Sequence, residues 1–145
     1  MRSILLTTAT ALALGFGGAA LAAGGGGGAS VDTPAAKPAD VDYTRAKALI
    51  EAKDYTGALP LLQQVVAKDP KNADAYNLMG FATRKSGDAN GALQYYNTAL
   101  GIDPKHLGAN EYIGEAYLML GKVAEAEQHL AKLDSLCVFG CTEYR

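Results

Sequence analysis

Apolar side chains recur every three or four positions from about residue 40 to residue 136, which is the spacing of one face of an α-helix. Capping residues, glycines and prolines interrupt this periodicity at regular intervals, so the pattern predicts six helices joined by short turns. Asp54, Asn72 and Asp88 are predicted N-caps, because their side-chain oxygens can accept hydrogen bonds from the unpaired N–H groups of a first helical turn. The predicted helices cover Val41–Ala52, Tyr55–Ala67, Asn72–Lys85, Asp88–Gly101, Leu107–Leu120 and Lys122–Leu136.

The helical pattern repeats with a period of 34 residues, which divides this part of the chain into three units at about 40–71, 72–105 and 106–136. Each first helix and each second helix carries a small residue where a large side chain would hold the paired helices apart. A single unit cannot bury its own apolar face, so stability is expected to come from stacking of neighbouring units. The equivalent small residues are Ala46, Gly80 and Gly114 in the first helices and Ala58, Ala92 and Ala126 in the second helices.

The central unit resembles a tetratricopeptide repeat, a helix-turn-helix unit of about 34 residues. The resemblance implies an all-α fold in which three helix-turn-helix pairs stack into a right-handed superhelical solenoid. Asp42 and Arg45 depart from the family pattern in the first unit, and Leu133 and Val138 depart from it in the third, as suits units at the ends of a stack. The residues that carry the resemblance are Tyr76, Met79, Gly80, Ala92, Tyr96, Ala99 and Pro104.

The resemblance also implies a concave groove lined by the first helices, with an extended peptide or a partner helix as its ligand. For each charged residue of the groove, the alternative interpretation is an ordinary solvated helix face. The clamp with which some family members hold the acidic tails of chaperones is not expected, since Leu78, Gly108 and Tyr112 replace its polar residues. The groove positions carry over to Tyr43, Lys47 and Ile50, to Asn77, Phe81, Arg84 and Lys85, and to Glu111, Glu115, Leu118 and Met119.

The first 39 residues have a different composition from the rest of the chain. Arg2 precedes the apolar run Ile4–Phe16, and residues 20–22, Ala-Leu-Ala, have the pattern of a signal-peptidase site. We therefore expect residues 1–22 to be a signal peptide that is cleaved after Ala22, which gives a periplasmic or secreted protein without a membrane span in the mature chain. The alternative is retention as a membrane anchor. Residues 23–39, rich in Gly, Ala and Pro, are expected to form a disordered linker.

The charge balance argues against one class of partner. The chain has 13 basic and 15 acidic residues, a formal net charge of −2 and no basic run. A protein that binds nucleic acid needs clustered Lys and Arg side chains to displace counterions from the phosphates. We therefore expect a protein or peptide partner and no nucleic acid.

The segment 137–145 follows the last predicted helix and holds both cysteines of the chain, Cys137 and Cys141. In an oxidising compartment their leading interpretation is an intramolecular disulfide that ties off the end of the solenoid. The alternative is a thiol-redox or copper-handling function that uses the same C-x-x-x-C pair.

No catalytic constellation can be assigned from the spacing of the titratable residues. His106 and His129 lie on different predicted helices, and the Glu111 and Glu115 pair lacks a second catalytic group. The sequence therefore predicts a non-enzymatic interaction module without a cofactor or metal, which binds a protein or peptide in its concave groove.

Overall fold

The computed structural model describes residues 40–137, and within this range the chain forms six α-helices and no strands. The all-α prediction is confirmed, and each helix agrees with its predicted bounds to within one residue. The expected signal peptide, the linker and residues 138–145 lie outside the described range. None of the six helices has the length and apolar character needed to cross a membrane. The helices are α1 (Val41–Glu51), α2 (Tyr55–Lys68), α3 (Ala73–Lys85), α4 (Ala89–Ile102), α5 (Leu107–Met119) and α6 (Val123–Leu136).

Side-chain caps fix where most of these helices begin. The predicted caps Asp54, Asn72 and Asp88 each accept a hydrogen bond from the backbone N–H three residues ahead, at 2.9, 2.9 and 2.7 Å. Asp40 caps α1 by accepting from the backbone N–H groups of Asp42 and Tyr43, and the Nδ1 atom of His106 caps α5. Among the described helices, α6 is the one that begins without a side-chain cap. Its first turn is therefore held less firmly than the others.

The turns inside the three helix pairs share one backbone conformation. Lys53, Gly87 and Gly121 lie 34 residues apart, and all three have positive φ angles, of 63°, 100° and 71°. This left-handed conformation ends a helix and redirects the chain into its partner. Glycine adopts it without steric cost, whereas the Cβ of Lys53 makes it unfavourable by about 1 kcal/mol. The first turn is thus the strained member of the set.

Neighbouring helix pairs are joined by buried apolar clusters. Leu62 of α2 and Met79 of α3 belong to the cluster between the first and second pairs. Tyr96 of α4 and Ile113 of α5, which are the equivalent residues one repeat later, belong to the cluster between the second and third pairs. Each helix packs on the next along the chain, and α3 also contacts α1 and α5. The second pair is therefore covered on both sides.

The small residues of the repeat differ in how tightly they are enclosed. A Cβ atom added to Gly80 would lie 2.5 Å from Cε1 of the buried Tyr96 ring. A Cβ atom added to Gly114, the equivalent residue of the third pair, would have its nearest neighbour at 3.8 Å, the Cβ of His129. Glycine is therefore required between α3 and α4 but not between α5 and α6.

Candidate functional site

An aromatic row runs from the start of α2 across α3 to α5, and it contains Tyr55, Phe81 and Tyr112. The ring centroids of Tyr55 and Phe81 lie 6.1 Å apart in an edge-to-face arrangement, and those of Phe81 and Tyr112 lie 5.1 Å apart. All three rings are half-buried. Such rings offer rigid apolar contact area together with polar edges, which is the typical composition of a protein-binding surface.

Arg84 lies directly beside this row, and its side chain is only 5% exposed. Its guanidinium carbon is 5.6 Å from the ring centroids of both Phe81 and Tyr112. Nη2 lies 2.6 Å from Oε2 of Glu115 in an ion pair that lacks hydrogen-bond geometry, and Nε donates to the hydroxyl oxygen of Tyr96 at 3.4 Å. A buried guanidinium is tolerated only when its charge is compensated in this way. Arg84 is therefore a crosslink between α3, α4 and α5.

The environment of Tyr96 supports this description. Burial raises the pKa of its phenol to about 12, while the neighbouring Arg84 guanidinium acts in the opposite direction. The hydroxyl thus remains protonated at neutral pH and keeps its place in the Arg84 contact. The sequence predicts Arg84 to be either a groove residue or a solvated charge, and its burial contradicts the solvated alternative.

Asn77 is the second predicted groove residue that is buried, and it lies one turn before Phe81 on α3. A Cβ atom at Gly108 would lie 3.2 Å from the Asn77 Nδ2 atom, so the amide packs against the first turn of α5. Within residues 40–137, its Oδ1 atom has no hydrogen-bond donor. The Asn77 Oδ1 atom is therefore a buried hydrogen-bond acceptor on α3, beside the first turn of α5.

The lysines among the predicted groove residues are placed differently from Arg84. Lys85 is exposed, and its Nζ atom lies 5.4 Å from the Phe81 ring centroid. Lys47 on α1 is also exposed, and neither lysine forms an ion pair within the described part of the chain. Tyr43 on α1 is half-buried, and burial together with the nearby Asp74 carboxylate raises its pKa to about 12.

The third pair contributes a more apolar border. Leu118 and Met119 at the end of α5 are both more than half exposed, and Met119 Sδ lies 4.0 Å from Arg84 Nη1. Glu115 remains partly exposed while it contacts Arg84, and Glu111 is half-buried on the same helix. Ile50 of α1 is half-buried against the first apolar cluster.

Two members of the aromatic row were missing from the sequence prediction. The groove positions carried over from the family lie on first helices, whereas Tyr55 is the first residue of a second helix. Tyr112 lies on a first helix but is not among the groove positions carried over from the family. A search for aromatic residues near Phe81 in the repeat register would have found Tyr112, which lies 31 positions further along the chain.

Both histidines have structural partners. His106 caps α5 through Nδ1, and its Nε2 atom lies 3.0 Å from Oδ1 of Asp74 on α3. The ring of His129 stacks on Tyr117, and its Nδ1 atom lies 3.1 Å from Asn110 Oδ1. Within residues 40–137, no three His, Cys, Asp or Glu side chains are grouped so that they could hold a metal ion.

The predicted disulfide lies at the edge of the described range. Cys137 is the C-cap residue that follows α6, and Cys141 lies beyond the residues that the structure describes. The pairing of the two cysteines therefore stays a prediction.

Comparison with known sequences agrees with the stacked pairs. One sequence model described as a tetratricopeptide repeat matches residues 43–106, and a second matches residues 84–135. Together the two matches extend over well more than half of the 145 residues.

Similar solved structures have the same helical architecture. MamA from Desulfovibrio magneticus RS-1 matches with a TM-score of 0.63 and 27% identity, over 66% of this chain and 54% of that chain. MamA MSR-1 matches with a TM-score of 0.61 and 25% identity, over 66% of this chain and 55% of that one. The Yersinia enterocolitica type III secretion translocator chaperone SycD shares the fold at 21% identity, with a TM-score of 0.65, over 68% of this chain and 74% of its own.

The chain spans little more than half the length of the MamA chains that it matches. The predicted helical solenoid is nevertheless confirmed, because the matches to both the repeat models and the solved structures extend across the stacked helices. The chain belongs to the tetratricopeptide repeat family.

Proposed function

We propose that the protein binds a partner protein through the face that carries Tyr55, Phe81 and Tyr112. Its membership of a repeat family that binds proteins supports an interaction module, and the fold is typical of modules without enzymatic activity. The observation that carries the specific proposal is the continuous row of half-buried aromatic rings. It borders Lys85, which forms no ion pair among residues 40–137. We propose a peptide segment or helix as the bound element.

The charges of the face indicate which groups are available to a ligand. Glu115 compensates Arg84 within the chain, so these two residues position the rings of Phe81 and Tyr112. Lys85 remains available for a carboxylate of the ligand, and Lys47 offers a second cation on α1. Leu118 and Met119 offer apolar contact area at the opposite border. The face therefore suits a segment that combines apolar side chains with an acidic one.

We also propose that this binding takes place outside the cytoplasm. The apolar run Ile4–Phe16 and the Ala-Leu-Ala sequence at residues 20–22 support export and cleavage after Ala22. Fractionation of the producing cells and N-terminal sequencing of the recovered protein test this part. A cytoplasmic protein that begins at Met1 would contradict it.

Binding is tested by recovery of partner proteins from an envelope extract with a tagged protein carrying both Phe81→Ala and Lys85→Glu. We expect this variant to lose most of the wild-type partner, because it removes the central ring and reverses the available cation. Arg84 is left unchanged, since its replacement would disturb the stack itself. Lys105→Glu is the matched charge control, because Lys105 is exposed in the loop before α5. Equal recovery by the double variant and the control would show that the partner binds elsewhere.

A further inference from the structure

Two junctions inside the helix stack join neighbouring pairs, and each junction has one half on a second helix and one half on the next first helix. At the two ends of the stack, one such half has no neighbouring pair against it within the described residues. Each internal junction places a large apolar residue of a second helix in a cluster with an apolar residue of the next first helix. Leu62 and Tyr96 fill the first of these positions, and both are 0% exposed. Leu130 occupies the same position in α6, where no further pair follows within residues 40–137, and it is 48% exposed.

The opposite half of the junction is open on α1. Met79 of α3 and Ile113 of α5 face the preceding pair and are buried in its cluster. Arg45 is the equivalent residue of α1, 34 positions before Met79, and its side chain is exposed. Val41 lies one helical turn earlier on the same face and is 70% exposed.

The residues around the two open halves have opposite charges. Leu59 and Leu93 flank the internal junctions on one side, and their equivalent in α6 is Glu127. Val66 and Leu100 flank them on the other side, and their equivalent is Asp134. Both carboxylates are exposed, as is Arg45, and none of the three forms an ion pair within the described residues. The α6 half therefore exposes Leu130 with an acidic border, whereas the α1 half exposes Val41 and Arg45. The Asp42 carboxylate on the same part of α1 is paired with Lys68, so Arg45 is the uncompensated charge there among the described residues.

We propose that a second copy of this chain occupies the open α6 half with its α1 helix, so that copies associate head to tail. In the register of the internal junctions, Arg45 of one copy lies over Leu130 of the next. Its aliphatic part covers the leucine, and its guanidinium reaches toward Glu127 and Asp134. Val41 adds apolar contact area at the edge. A heterologous contact of this kind leaves one open half at each end, so association continues into longer assemblies as the concentration rises.

Charge complementarity favours a second copy over the other possible occupants. Three positions that are apolar inside the stack carry Arg45 on one open half and Glu127 and Asp134 on the other. Asp42 also replaces a residue that packs on a cluster, but Lys68 compensates its charge. If the α6 half were covered by residues 138–145 of the same chain, the protein would remain monomeric. Because the proposed contact between two copies involves exposed charges, high salt should weaken it more than it weakens the apolar junctions inside the stack.

Sedimentation velocity of protein produced from the full 145-residue sequence tests the proposal. We expect the weight-average mass to rise with concentration for the wild type. Arg45→Glu and the double variant Glu127→Arg, Asp134→Arg should each weaken association at least about tenfold, because each puts like charges in contact. An equimolar mixture of the two should associate again, since the reversed α1 half of one then meets the reversed α6 half of the other.

The control is Lys132→Glu, a charge reversal at an exposed α6 position that is equivalent to Gln64 and Thr98 and does not belong to the junction clusters. It should associate like the wild type. All substituted residues are exposed, so circular dichroism is expected to show unchanged helix content. A wild type that is monomeric at every concentration, or a mixture of charge variants that fails to associate, would overturn the proposal.

Discussion

The second and third helix pairs are built from the same 34-residue pattern, yet their equivalent positions have different surroundings. Gly80 touches a buried tyrosine ring, whereas Gly114 has room for a methyl group. Arg84 is buried in a network of contacts, whereas its equivalent Leu118 is 57% exposed. The glycines differ because of the second helix of their own pair, where Tyr96 of α4 is replaced by Leu130 in α6. Arg84 and Leu118 differ because α5 covers Arg84, whereas α6 packs mainly on α5 and no described pair follows it. Equivalent positions of the repeat therefore do not make equal contributions to the free energy of unfolding. The contribution of each position to stability depends on which residues the partner helix and the neighbouring pair place against it.

The largest difference is expected between Arg84→Ala and Leu118→Ala. Loss of Arg84 removes two ring contacts and the partner of Glu115, so we expect unfolding to become about 3 kcal/mol more favourable. Leu118→Ala should change the free energy of unfolding by less than about 0.5 kcal/mol, because that side chain is exposed. Urea denaturation followed by circular dichroism measures both. Losses of similar size would show that Arg84 contributes no more to folding than an exposed side chain does.

The glycine pair is expected to respond with opposite signs. Gly80→Ala places a methyl group against the Tyr96 ring and should destabilise the protein by about 2 kcal/mol through overpacking. Gly114→Ala meets no close neighbour and should stabilise α5 by about 0.5–1 kcal/mol through its higher helix propensity. Thermal and urea unfolding of both variants check the signs. A destabilising Gly114→Ala would mean that α5 and α6 approach more closely than described.

Removing one helix cap and adding another should change the free energy of unfolding by about 1 kcal/mol each, with opposite signs. Asp88→Ala removes the oxygen that accepts from Gly91 at the start of α4 and should cost about 1 kcal/mol. Lys122 has nearly the same backbone angles as Asp88 but makes no cap hydrogen bond. Lys122→Asp should therefore add a cap to α6 and stabilise it by up to about 1 kcal/mol. Urea titration measures the free energy of unfolding of both variants, and Lys122→Ala is the control for loss of the lysine side chain.

The smallest expected effect depends on pH and involves His129. Burial lowers the pKa of this imidazole below its ordinary value of about 6.5, and the ring lies against Tyr117 and Asn110. Because the folded pKa is the lower one, the unfolded chain takes up the proton first as the pH falls, so stability decreases below about pH 6.5. The equivalent residue of the second pair is Tyr95, so this imidazole is a feature of the third pair.

His129→Gln should reduce the loss of stability between pH 7.5 and pH 5.5. The measurement is the difference between the urea midpoints of variant and wild type at each pH, which cancels the contribution of groups that both proteins share. Since the ring is only partly buried, the change is expected to be smaller than those at the caps. A pH dependence identical to that of the wild type would exclude His129 as its source.

Most of the fold could be predicted because its signals are local. The N-caps at Asp54, Asn72 and Asp88 act within one helical turn, and the 34-residue period determines which helices pair. The site was less predictable, because burial of Arg84 depends on Tyr112 and Glu115, which lie about one repeat further along the chain. The positive φ of Lys53 was also missed, since a lysine gives no sign of a left-handed turn. Only comparison with Gly87 and Gly121 in the repeat register shows it.

The aromatic row also provides an intrinsic fluorescence signal for ligand binding. The chain has eight tyrosines and no tryptophan, so its intrinsic emission comes from phenol rings alone. Tyr55 and Tyr112 lie in the row that we propose as the binding face, and both are close enough to Phe81 to respond when a ligand covers it. A ligand that contains tryptophan would accept excitation energy from these rings and could be titrated without any attached dye.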